Sequence, residues 1–220
     1  MIRVKICGIT NEADAEAAAA AGADLIGLNF FEKSPRFISE AQAAKVRAVI
    51  PKGVDPVGIF VNVSAPEVLR VCRSLHLAAA QLHGDESPAA AAAVANAVPV
   101  FKAFRVDNNF STQTLDEYAE ASAFLLDASQ AGQYGGTGHT IDWALARRAA
   151  MSHRIILAGG LKPENVAAAI RIVRPYAVDV ASGVEAKPGK KDHARIREFI
   201  QEVRRAEKQF EPHTEKSNAS

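Results

Sequence analysis

Cysteine is scarce: Cys7 and Cys72 are the only two in 220 residues. Two cysteines do not make a disulfide framework, and no CxxC pair or histidine-rich tract gives the spacing of a zinc site. Free thiols, no metal and no cofactor are expected. An excess of one charge is also missing, since 26 Lys+Arg against 25 Asp+Glu leave a formal net charge of +1. Without a basic block, the electrostatic basis for nucleic-acid or membrane-surface binding is gone, and small molecules are the expected partners. No apolar run reaches the roughly 20 residues that span a bilayer. The alanine-rich stretch 89–100 is interrupted by Asn96 and Pro99. No charged and then apolar leader opens the chain, so a cytoplasmic address is expected. Finally, there is neither a GxGxxG after the first strand nor a GxxxxGK[ST] anywhere, which counts against the nucleotide crevice of an open doubly wound sheet.

What is present is repetition. Eight short β-branched or apolar runs recur, "RVKIC", "LIGLNF", "PVGIFV", "AAAQLH", "FKAFRV", "FLLDA", "RIILAGG" and "AVDVASG". Between them lie stretches of helical periodicity such as "EADAEAAAAAGA", "PEVLRVCRSLHL", "TLDEYAEAS", "PENVAAAIRIVR" and "DHARIREFIQEVRRAEKQF". Strands alternating with single helices require a parallel sheet, and eight such units in this length predict a single-domain (β/α)8 barrel over residues 1–206. Residues 207–220 are polar and unpatterned and read as a disordered tail. Two connections are longer than the rest, "FEKSPRFIS" after the second strand and "SQAGQYGGTGHTI" after the sixth. Both lengthen the rim at the carboxyl ends of the strands, where barrel enzymes place their sites.

Side-chain parity then selects candidates. On the first strand Val4 and Ile6 suit the outer helices, which turns Lys5 and Cys7 inward. Cys7 ends that strand just before Gly8, and Thr10 or Asn11 is placed to cap a helix from Glu12. A lone cysteine there is more often an inert packing residue. Asp127 ends the sixth strand on the inward face with Leu125, three strands from Cys7 around a closed ring, and Asn29, His83 and Asp179 end strands two, four and eight. One such polar residue is unremarkable, but five on one rim point to a site. "LAGGL" and "VASGVE" place Gly159, Gly160, Ser182 and Gly183 where backbone N–H groups can approach an anion, at the corner where barrels commonly hold a phosphate. Arg36, between Pro35 and Phe37 on the long second loop, offers a fork for a carboxylate. His83 reads as a wall residue and Cys72, in mid-helix, as core. "GGTGH", ending at His139 in the long sixth loop, offers a lid that could fold over a ligand, with a flexible surface loop as the alternative.

The motifs "VKICGIT", "LNFFEKSPRFIS", "QLHGDE", "LLDAS", "GGTGHTIDW", "LAGGLKPENV" and "DVASGVE" occur in that order, and over about Arg3 to Ile200 the sequence resembles the phosphoribosylanthranilate isomerases of tryptophan biosynthesis. The resemblance implies a phosphosugar substrate and an Amadori rearrangement, with Cys7 as general base, Asp127 as general acid, Arg36 on the anthranilate carboxylate and the glycine turns on the phosphate. It also asks for a lowered Cys7 pKa, with Lys5 as the natural cause, and for a protonated Asp127. Indoleglycerol-phosphate synthase would share the phosphate corner, but such enzymes lean on lysine and glutamate at the strand ends. A catalytically silent phosphosugar-binding barrel is the non-enzyme alternative. Oligomeric state is not legible.

Overall fold

The structure is a computed structural model that describes residues 1–107, 110–128 and 142–209. All eight predicted strands form: β1 Arg3–Cys7, β2 Leu25–Asn29, β3 Asp55–Phe60, β4 Ala79–Leu82, β5 Val100–Val106, β6 Ala123–Ala128, β7 Ile155–Leu157 and β8 Ala177–Val180. They pair in parallel in chain order and close on themselves, β8 returning to β1 with Lys5 opposite Asp179. Closure excludes the open doubly wound alternative.

The connections carry α1 Glu12–Ala21, α2 Glu40–Val49, α3 Ala65–Ser74, α4 Pro88–Ala95, α5 Trp143–Ala150, α6 Pro163–Val173 and α7 His193–Lys208. Of the two residues proposed to cap α1, Asn11 does so, accepting the N–H of Asp14 through its side chain. The stretch "TLDEYAEAS" departs from expectation: Thr112–Tyr118 is a 3-10 helix rather than an α-helix. Its anchors are Leu115, fully buried, and Tyr118, whose hydroxyl donates to the Glu86 carbonyl. They are three residues apart, a spacing that the tighter helix stacks on one face.

Two cores divide the apolar residues by strand parity, as a period of two requires. Val4, Ile6, Phe124, Leu126, Val178 and Val180 face the helices, while Leu25, Val57, Ala79, Phe101, Ala103, Ala123, Leu125, Ile156 and Ala177 fill the lumen. Polar groups also face inward: Lys5 is fully buried and paired with Asp179, and Gln81 and Asp127 share that inner face. Beyond β8 the chain makes a small antiparallel hairpin, β9 Glu185–Lys187 with β10 Lys190–Lys191. It folds back over the first loop, where the Thr10 hydroxyl donates to the Gly189 carbonyl. Helix α7 runs through Glu207 and Lys208, two residues into the segment read as tail, because Glu207 accepts the N–H of Ile2 and Arg204 pairs with Asp24. Residues 210–220 lie outside the described residues.

Candidate active site

Cys7, Asn29, Arg36, His83, Asp127 and Asp179 line one pocket at the carboxyl end of the barrel. A second cavity, about 250 Å³, opens at the amino end between Arg3, Asp55, Arg154 and Tyr176 and contains none of these groups. Local sequence explains how the first pocket is built. The Cys7 thiol occupies space that Gly27 leaves opposite it on β2, where a Cβ would come within 3.0 Å of Sγ. Gly8 has φ +74°, and a Cβ there would sit 2.6 Å from Arg36 Cδ. That position needs glycine both for its backbone and for the arginine that crosses it.

The second loop is tied down by its own polar residues. Asn29 accepts the N–H of Phe31 at 2.9 Å and donates to Ser34 Oγ at 3.1 Å, and that oxygen also accepts the N–H of Arg36 at 3.2 Å. Arg36 thereby reaches the pocket, but its fork is not open. Nε and Nη2 donate to the two oxygens of Glu185 at 2.8 and 2.7 Å, and Lys191 donates to the same carboxylate at 2.9 Å. The expectation of a bidentate site for a ligand carboxylate is corrected here. Arg36 is half-buried, and a charge so placed is stabilised by its counter-ion.

Cys7 sits among opposing influences. Burial pushes its thiol up, Lys5 pulls it down, Asp179 pushes it up and Lys191 pulls it down, and the net direction is upward. The lowering expected from Lys5 is present but outweighed by burial, and Asp179, which accepts from Lys5 Nζ at 2.9 Å, offsets part of it. His83 is neutral: burial, assisted by Lys5, Lys102 and Arg105, takes its pKa down to about 3. Its Nε2 lies 3.8 Å from Asp127 Oδ2. Cys72 is buried in α3, where desolvation raises its thiol to about 11.

The glycine turns adjoin this pocket rather than line it. Gly159 and Gly160 both have positive φ, 78° and 63°. Gly183 does not need φ freedom but proximity, since a Cβ there would fall 1.9 Å from the Leu161 carbonyl oxygen. It follows Ser182 in the short 3-10 turn after β8, so the turns after β7 and β8 touch. The "GGTGH" segment and His139 lie outside the described residues.

Three residues of the site escaped the sequence reading: Gln81, Glu185 and Lys191. Glu185 was visible in "VASGVE", directly after the glycine turn, whereas Lys191 stands in a "KKDH" run that looks solvated until the hairpin folds back and buries it.

Residues 4–202 match the model of the N-(5'phosphoribosyl)anthranilate (PRA) isomerase family. The chain is 49% identical over 208 residues to an N-(5'-phosphoribosyl)anthranilate isomerase of Trichlorobacter lovleyi, covering 94% of this chain and all of that one. Among solved structures it resembles the phosphoribosyl anthranilate isomerase of Thermotoga maritima, with a TM-score of 0.87 at 42% identity and coverage of 93% and 99%. It also resembles such an isomerase in complex with reduced 1-(o-carboxyphenylamino)-1-deoxyribulose 5-phosphate, with a TM-score of 0.83, 41% identity and the same coverage. A closed barrel, a rim pocket with thiol and carboxyl, and similarity along nearly the whole chain agree: this protein belongs to the N-(5'-phosphoribosyl)anthranilate isomerase family.

Proposed function

We propose that this protein converts N-(5'-phosphoribosyl)anthranilate into 1-(2-carboxyphenylamino)-1-deoxyribulose 5-phosphate in tryptophan biosynthesis, by an Amadori rearrangement with Asp127 as general acid and Cys7 as general base. The observation that carries this reading is the shared pocket: a thiol from β1 and a carboxyl from β6, three strands apart around the ring, beside a half-buried arginine.

The substrate is an aminoaldose, and its furanose ring must open first. Asp127 gives a proton to the ring oxygen as the C1'–O bond breaks, and the anilino nitrogen lone pair forms the C=N bond. The cationic imine acidifies the C2' proton, which Cys7 removes as thiolate to leave an enolamine that tautomerises to the ketone. A base and an acid on different walls suit two proton transfers at different atoms. Lys5 and Lys191 supply positive charge to the thiolate against the cost of its burial. Arg36, held by Glu185, meets the anthranilate carboxylate, and the paired glycine turns at Gly159, Gly160, Ser182 and Gly183 take the phosphate. Asp179 holds Lys5 in place at the base of the pocket.

The test is the fluorescence of phosphoribosylanthranilate on addition of purified protein. Its decay, abolished in Asp127→Asn, is the expected outcome. A signal that decays no faster than the uncatalysed breakdown of the substrate, with the protein folded, would sink the assignment.

A further inference from the structure

We propose that Gln81 is a positioning residue that fixes His83 in the tautomer carrying its proton on Nε2, so that this N–H braces the Asp127 carboxylate as it gives up its proton. The inference rests on the acid role of Asp127 proposed above. Gln81 and His83 stand two apart along β4 and its exit, which sends both side chains into the mouth of the barrel. Gln81 is buried, with its Nε2 2.8 Å from His83 Nδ1. His83 Nε2 is also buried, has no hydrogen-bond partner among the described residues, and faces Asp127 Oδ2 across 3.8 Å.

Two arrangements satisfy the 2.8 Å contact. If the amide N–H donates to Nδ1, the ring proton sits on Nε2 and points at the carboxylate. If the amide is reversed, Nδ1 carries the proton, and an Nε2 lone pair confronts the carboxylate oxygens. The second arrangement sets negative against negative in a poorly solvated site once Asp127 ionises, and the first sets a dipole to attract it. A doubly protonated ring is not an option at working pH, since burial and three nearby cations keep the imidazole neutral. His83 is therefore a donor of fixed character, not a proton carrier. When the ring C1'–O bond breaks, its electron pair and the Asp127 proton both go to the ring oxygen, and the carboxylate left behind draws the Nε2–H in to hydrogen-bond distance.

Other charges act on Asp127 as well. Arg105 lies opposite it on β5, and Cys7 and Asp179 face the same pocket from β1 and β8. Lys5 and Lys102 also act on His83. The test must therefore separate the tautomer from general electrostatics. The 15N spectrum of His83 in the intact protein at neutral pH should show a protonated Nε2 and a bare Nδ1. A protonated Nδ1 overturns the proposal whatever the activity. Gln81→Glu, which offers only acceptors, should invert the two nitrogen signals. Gln81→Met, similar in length and uncharged, should give mixed tautomers, lower kcat about tenfold, a modest share of what one oxyanion donor provides, and leave KM nearly unchanged. In both variants the Asp127 carboxyl, followed by its 13C shift, should titrate at higher pH than in the parent. An unmoved Asp127 titration in Gln81→Met overturns the bracing role while leaving the acid role standing. Full activity in Asp127→Asn removes the acid role and this proposal with it.

Discussion

At Cys7, burial and positive charge pull in opposite directions, with burial ahead. The rate of alkylation by a small uncharged reagent should therefore rise with pH to a midpoint above the ordinary thiol value of about 8.5. A midpoint below it would mean that Lys5 and Lys191 outweigh desolvation. Cys7→Ser and Asp127→Asn should each lower kcat by about 10²–10⁴-fold, the scale of one lost acid or base, while circular dichroism stays native. Near-parental turnover in the serine variant would return Cys7 to the inert packing role that a lone strand cysteine usually has. Arg36 lines the pocket while its Nε and Nη2 are held by Glu185. Arg36→Ala should raise KM by the equivalent of about 1.5–3 kcal/mol, the range for a charged hydrogen bond. It also leaves Glu185 with one cation instead of two, so urea denaturation should show reduced stability. A stability loss with unchanged KM would make Arg36 purely structural.

The decisive element-scale feature is contact between loops that are distant in sequence. Gly183 lets the turn after β8 press on Leu161 after β7, and the β9–β10 hairpin brings Glu185 and Lys191 over the loop after β1. Gly183→Ala would put a Cβ into a backbone carbonyl oxygen, so the two turns must part. The expected cost is about 1–3 kcal/mol of stability from overpacking, together with weaker competition by inorganic phosphate against substrate. Gly53→Ala is the control, with φ +95° but nothing within 4 Å of the new methyl. It should cost about 1 kcal/mol from backbone strain alone and leave phosphate competition unchanged. Equal effects at the two positions, read by denaturation and by the phosphate inhibition constant, would dissociate Gly183 from the phosphate corner.

Across the whole molecule, the carboxylates that tie distant elements together make the fold sensitive to acid. Burial pushes Asp14 up, but the N–H of Lys191, the His193 ring and Asn11 together bring it below the ordinary range. Glu185 is likewise raised by burial and more than compensated by Arg36 and Lys191. Groups whose folded pKa is depressed contribute stability that is present above the unfolded value and lost as pH falls through the folded one. Tm should therefore hold near neutrality and decline below about pH 4, where free carboxylates begin to protonate. Asp14→Asn should start lower and decline less. A parental Tm that stays flat into that acid range would show that these carboxylates do not stabilise the folded chain.

The sequence by itself determined the barrel, because a period-two apolar pattern repeated eight times with helical stretches between leaves few other ways to bury both faces of every strand. The same parity put Lys5, Cys7 and Asp127 inside, and Gly159–Gly160 and Ser182–Gly183 marked the two turns. One predicted α-helix shortened to a 3-10 turn, since periodicity alone does not register how few anchors a segment has. Only the tertiary structure decided which charges meet. Whether Arg36 is free or held by Glu185, whether Lys191 is solvated or buried, and whether Lys5 acts on Cys7 or is absorbed by Asp179 all depend on ångström-scale approaches between residues up to 174 positions apart. Coulomb and desolvation energies vary steeply with those distances and with burial, and neither is encoded in the local pattern of the chain.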